Sequence, residues 1–119
     1  MKLVTKHKKE SNEKPIRIGL PSIYGMEYVP ADTITRCEAI SNYTRIYFEN
    51  ERPVVVCHTL RYFEEKLVNA GFIRIHRGEM INKNYILKYN TDGRLQLTDG
   101  SILTISRRRK REVFTAIAC

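Results

Sequence analysis

Three polar segments carry the side chains best suited to chemistry. The first, Ser41-Asn42-Tyr43-Thr44-Arg45, sets a carboxamide with both acceptor and donors beside hydroxyls and a guanidinium that can reach phosphate oxygens. Taken alone it also reads as an ordinary Asn-containing turn. The second, residues 74–84, holds Arg77, whose fork matches guanine O6 and N7, and Gly78, which lets backbone come close to an anion. There His76 reads equally as a capping or packing imidazole, and Asn82 as a side chain bonding local backbone. The third runs over residues 106–111, Ser-Arg-Arg-Arg-Lys-Arg. Cations at the start of a helix oppose its dipole at a cost of about 0.3–1 kcal/mol each, and a bound phosphate reverses that sign by meeting helix amides and Arg side chains together. A frayed, solvated basic end is the competing account.

Catalytic patterns are missing. His7, His58 and His76 form no metal-binding or metalloprotease spacing, and the six glycines make no phosphate-cradling loop. Cys57 and His58 are adjacent, but neighbours on a strand point to opposite faces, so they read as a core thiol beside an exposed imidazole rather than a nucleophile and its base. Cys37, Cys57 and Cys119 are odd in number and widely spaced, which argues for reduced thiols. The chain reads as a non-enzyme, with neither metal nor organic cofactor expected.

Charge narrows the partner. The 21 Lys and Arg against 13 Asp and Glu leave +8, a balance suited to nucleic acid or another anionic surface. Residues 1–14 contribute +3 and residues 106–119 contribute +4, while the 91 residues between them stand at 11 cations against 10 anions. Such concentration at the ends is what an electrostatic footprint looks like.

The elements that must hold these segments are mostly strands. At 119 residues the chain is the size of one domain. Residues 1–14, rich in Lys, Glu, Ser and Asn, read as a flexible basic arm or linker, and residues 15–119 as the folded domain. Short alternating or β-branched runs at 17–20, 26–29, 34–40, 44–48, 54–57, 72–75 and 86–89 predict strands, separated by turn-forming residues. Residues 59–70 predict the one internal helix, with Leu60, Phe63, Leu67 and Val68 on one face, Thr59 as N-cap and Gly71 as the left-handed terminator. Residues 76–83 read as a loop or irregular segment. Asp99-Gly100 predicts a two-residue hairpin turn between 94–98 and 101–105, with Leu97 opposite Ile102. Val113, Phe114 and Ile117 fall on one side of a short C-terminal helix. With no long apolar run and no signal-peptide pattern at the N-terminus, the expected location is the cytoplasm.

Taken in order, these segments resemble the LytTR family, the DNA-binding domain of many bacterial response regulators. The matching residues are Glu38-Ala39-Ile40-Ser41-Asn42-Tyr43-Thr44, Thr59-Leu60 with the following helix, Phe72-Ile73-Arg74-Ile75-His76-Arg77, Ile81-Asn82 with Ile86, and Asp99-Gly100 followed by Ser106-Arg107. The resemblance implies a mainly all-β fold: an elongated stack of small antiparallel sheets with one internal short helix and a short C-terminal helix. It implies a transcription regulator whose loops, rather than a recognition helix, enter successive major grooves of promoter direct repeats in double-stranded DNA and bend it.

By position, the resemblance puts Asn42, Thr44, Arg77 and Arg107 on bases. It puts Ser41, Tyr43, Arg45, His76, Lys83, Asn84, Arg108 and Arg109 on the phosphate backbone. Two residues depart from the pattern: Gly78 stands where a small hydroxyl or amide residue is usual, and Glu79 where an apolar or aromatic one is common. Beside phosphates Glu79 lowers affinity unless it pairs with Arg77 or Lys83. Partners implied are promoter DNA and a receiver domain or sensor system outside this chain, the chain being either an excised domain or a stand-alone regulator. Direct repeats need no two-fold interface, so the expected free state is a monomer that pairs on DNA. The alternative is a small basic β-barrel RNA-binding protein using its seven Tyr and four Phe for base stacking; against it, Tyr47, Phe48, Phe63 and Phe72 fall at core-like positions.

Overall fold

The computed structural model describes residues 16–118, so the expected arm at 1–14 lies outside the described residues. Ten strands and two helices follow in the order β1 (Arg17–Ser22), β2 (Gly25–Pro30), β3 (Ile34–Ile40), β4 (Tyr43–Phe48), β5 (Val54–Val56), α1 (Leu60–Leu67), β6 (Phe72–His76), β7 (Glu79–Asn82), β8 (Ile86–Tyr89), β9 (Arg94–Leu97), β10 (Ile102–Thr104) and α2 (Lys110–Ile117). They form a two-stranded sheet β1-β2, a central five-stranded sheet β5-β4-β3-β7-β6 and a three-stranded sheet β10-β9-β8, every pairing antiparallel. The body is a slab of 42 × 37 × 23 Å. These open, separate sheets are the small-sheet stack expected from the sequence and leave no closed barrel for the RNA-binding alternative.

Two cores flank the central sheet. One collects Leu60, Phe63 and Leu67 of α1, Ile18 and Leu20 of β1, and Cys37, Ile46, Val56, Phe72 and Met80 of the sheet. Burial pushes the Cys37 thiol up to about 12, with Glu79 raising it further and Arg36 opposing, so Cys37 stays protonated. The other collects Ile75 and Ile81 with Leu95, Leu97, Ile105 and Val113. Val113, Phe114 and Ile117 of α2 all pack there, as the helical spacing predicts. Strand β7 therefore faces a core on each side, Met80 to one and Ile81 to the other. This corrects the irregular segment expected at 76–83: a four-residue strand with Glu79 and Asn82 at its ends has too little alternation to be read as one.

Thr59 caps α1 as predicted, its Oγ1 accepting from the Tyr62 N–H at 3.3 Å, and Gly71 terminates it at φ 86°. The helix tightens into a 3₁₀ turn over Val68–Ala70, which rotates Val68 out to 60% exposure instead of onto the core face. Gln96 lies opposite Ile102 and Leu95 opposite Leu103, and the Leu97 N–H bonds the Ser101 carbonyl at 3.0 Å. The β9–β10 turn is thus three residues closed by Gly100 at φ 92°, not two, and Ile102 points to solvent while Leu97 is buried. Val56 fills the inward position on β5, which leaves Cys57 exposed and turns His58 inward, stacked on Tyr62 at 3.9 Å. That reverses the assignment of Cys57 to the core.

Candidate nucleic-acid interface

The register of the central sheet decides which polar segments meet. Ile40 pairs with Tyr43, so Ser41 and Asn42 form the β3–β4 turn, with Ser41 at φ 56°. His76 pairs with Glu79, so Arg77 and Gly78 form the β6–β7 turn. Because β3 also pairs with β7, and the Ala39 N–H donates to the Gly78 carbonyl at 2.9 Å, both turns project from the same end of the sheet, about 10 Å or two strand spacings apart. The third segment joins through the Ser106 N–H, which bonds the Ile75 carbonyl at 2.8 Å and starts the 3₁₀ turn Arg107–Arg109. His76, Arg77, Ser106, Arg108 and Arg109 line one cleft of about 280 Å³ between the second and third segments.

The second turn is held from inside and from behind. The Gly78 N–H donates to His76 Nδ1 at 3.0 Å, which assigns a neutral His76 ring its proton on Nε2. Arg74 donates from Nη1 to Glu64 Oε1 of α1 at 2.8 Å, from Nε to the His76 carbonyl at 3.1 Å and from Nη2 to the Arg77 carbonyl. Gly78 is not among the glycines with positive φ, so the turn's own geometry does not require glycine there. Arg77, Arg107, Arg108, Asn42 and Tyr43 are exposed, and Arg109 is half-buried. Ser106 Oγ is buried without a hydrogen-bond partner at the wall of the cleft.

Several expected contacts fall elsewhere. Thr44 is fully buried, and its hydroxyl donates to the His58 carbonyl at 2.7 Å, so it ties β4 to the start of α1 and cannot meet a base. Lys83 and Asn84 follow the far end of β7, about 17 Å from the Arg77 turn, where Lys83 Nζ reaches the Ala116 carbonyl at 3.5 Å and the Asn84 N–H bonds Asn82 Oδ1 at 3.0 Å. Arg45 lies on the sheet face that also carries Arg36 and Ile81, paired with Glu38 at 3.3 Å. Glu79 turns onto the same face and pairs with Arg36 at 3.1 Å, rather than with Arg77 or Lys83. Its carboxyl is held above the usual range, chiefly by burial, which Arg36 offsets and Glu38 reinforces. Sequence reasoning gave Arg74 no role beyond its place in the matched motif and passed over Glu64, because their pairing joins residues ten apart across α1 and β6 and leaves no local pattern. It named Ser106 without foreseeing that its hydroxyl lines the cleft.

Asp32 precedes β3 and Glu49 and Glu51 follow β4, at the sheet end opposite the arginine-bearing turns. Among the described residues no group of His, Cys, Asp or Glu is arranged to hold a metal, and no helix is long and apolar enough to cross a membrane.

An open antiparallel domain that presents amide, imidazole and guanidinium groups from loops at one end of its central sheet carries the kinds of donor that a nucleic acid accepts. The profile of the LytTr DNA-binding domain matches residues 24–118, and the chain belongs to this DNA-binding family. In fold it is similar to a solved LytTr DNA-binding domain from Bacillus cereus, assigned to a methyl-accepting/DNA response regulator, with a TM-score of 0.73 at 22% identity over 90% of this chain and 100% of that one. No curated protein matches.

Proposed function

We propose that this chain is the sequence-reading module of a transcription regulator, a response regulator or a stand-alone protein, and that it binds promoter DNA as a duplex through the three aligned loops. The observation that carries the proposal is the shared cleft of His76, Arg77, Ser106, Arg108 and Arg109, in line with the Ser41-Asn42 turn. Arg77 and Arg107 meet guanine O6 and N7 with two parallel bonds, and Asn42 matches adenine N6 and N7. Ser41, Tyr43, His76, Arg108 and Arg109 hold the flanking phosphates, His76 through Nε2–H and Arg108 and Arg109 as charges that release counterions. On direct repeats two protomers stack head to tail and need no two-fold interface, which supports a free monomer that pairs on DNA.

Anisotropy titrations of single variants on a selected duplex and on a shuffled one test these roles. Arg77→Ala and Arg107→Ala each lose about 1–3 kcal/mol of discrimination, while Arg108→Ala weakens both duplexes alike and lowers the salt slope by about one. Lys83→Ala, at the far end of the sheet, changes neither. Equal losses on both duplexes for Arg77→Ala and Arg107→Ala would remove the base-reading assignment.

A further inference from the structure

We infer that Glu64 and Arg74 form a strut that positions Arg77, so that a carboxylate on helix α1 sets the discrimination achieved by a loop it does not belong to. The inference rests on the DNA-reading function proposed above. One planar guanidinium serves three acceptors: the Glu64 carboxylate and the carbonyls of His76 and Arg77. The irregularity in pairing between Arg74 and His76 opens the ladder where those two carbonyls come within reach of the same side chain. The Arg74 side chain is 15% exposed and Glu64 40%, so the pair is fixed at its inner end and reaches solvent only at α1. Arg74 and Glu64 also border a cleft with Arg61, Glu65, Val68 and Arg109, which sets the strut beneath the third loop as well as the second. A lysine at position 74 keeps the charge but lacks the fork that holds three acceptors in one plane.

The strut makes a prediction opposite in sign to simple charge. Removing an acidic group from a DNA-binding face strengthens binding to any duplex. If Glu64 instead acts through Arg74, Glu64→Gln lowers the ratio of selected to shuffled affinity by roughly three- to tenfold, and Arg74→Lys does the same. Two further readouts separate positioning from mere stability. In the free protein, amide exchange at Arg77 and Gly78 speeds up in Glu64→Gln while Ile46 and Leu95, one from each core, keep their protection. In an Arg77→Ala background, Glu64→Gln has no further effect on discrimination.

Unchanged discrimination in Glu64→Gln, or a loss that persists undiminished without the Arg77 side chain, overturns the inference. If the wild-type chain discriminates no duplex at all, the proposed function fails and amide exchange alone decides: faster turn exchange in Glu64→Gln upholds the strut, and unaltered exchange removes it.

Discussion

Glu79 shows how a single side chain can look like a liability to binding and act elsewhere. Its carboxylate lies against Arg36, and Arg36 stacks on the Tyr47 ring at 3.8 Å. Burial raises the Glu79 carboxyl above its usual range, so the native state takes up its proton at a pH where the unfolded chain has lost it. In that window the folded protein binds more protons, and stability falls as pH rises through it and is level above. Urea titrations across the acidic range should show this decline in the wild type and a flatter profile for Glu79→Gln; identical profiles would place the titration elsewhere. Residue types alone made Asn42 and Arg77 visible as candidates, because carboxamide and guanidinium chemistry reads bases on any scaffold, whereas Arg107 was singled out from its basic run by the family resemblance. The resemblance also put Thr44 on a base, although strand alternation sets Thr44 on the inward face with Ile46 and sends Tyr43 and Arg45 outward.

At the level of elements, β7 joins function to stability. It supplies Ile81 to one core and Met80 to the other, and its first residue closes the Arg77 turn. Ile81→Ala should therefore cost about 2–5 kcal/mol. Ile102→Ala, at an exposed position on β10, should stay within about 0.5 kcal/mol of wild type. Equal losses in denaturant titrations would contradict the β9–β10 register. Strands with alternating patterns, the capped α1 and the amphipathic α2 were legible because periodicity and capping are local. What escaped was set by tertiary context: a strand buried on both faces, a turn lengthened by one residue around Gly100, and a helix that tightens after Leu67. The row of loops was legible as three separate segments, and only the pairing of β3 with both β4 and β7 aligned two of them.

Over the whole molecule, strand order becomes direction. The central sheet carries its base-reading candidates at one end, and Asp32, Glu49 and Glu51 lie at the other. The near-neutral count over residues 15–105, 11 cations against 10 anions, reflects pairing within the body, as in Arg36–Glu79, Arg45–Glu38, Arg61–Glu65 and Arg74–Glu64, and leaves the basic excess to the two ends of the chain. Basic charge alone binds every duplex, and in the function proposed here it is the placement of Asn42, Arg77 and Arg107 that turns attraction into recognition. Selection from a random duplex pool at about physiological salt, where counterion-driven binding is weak, tests that claim most directly. The account predicts enrichment of a short motif, recurring as a direct repeat, that Arg77→Ala and Arg107→Ala each relax at a different base pair. A pool that stays random through successive rounds would contradict it.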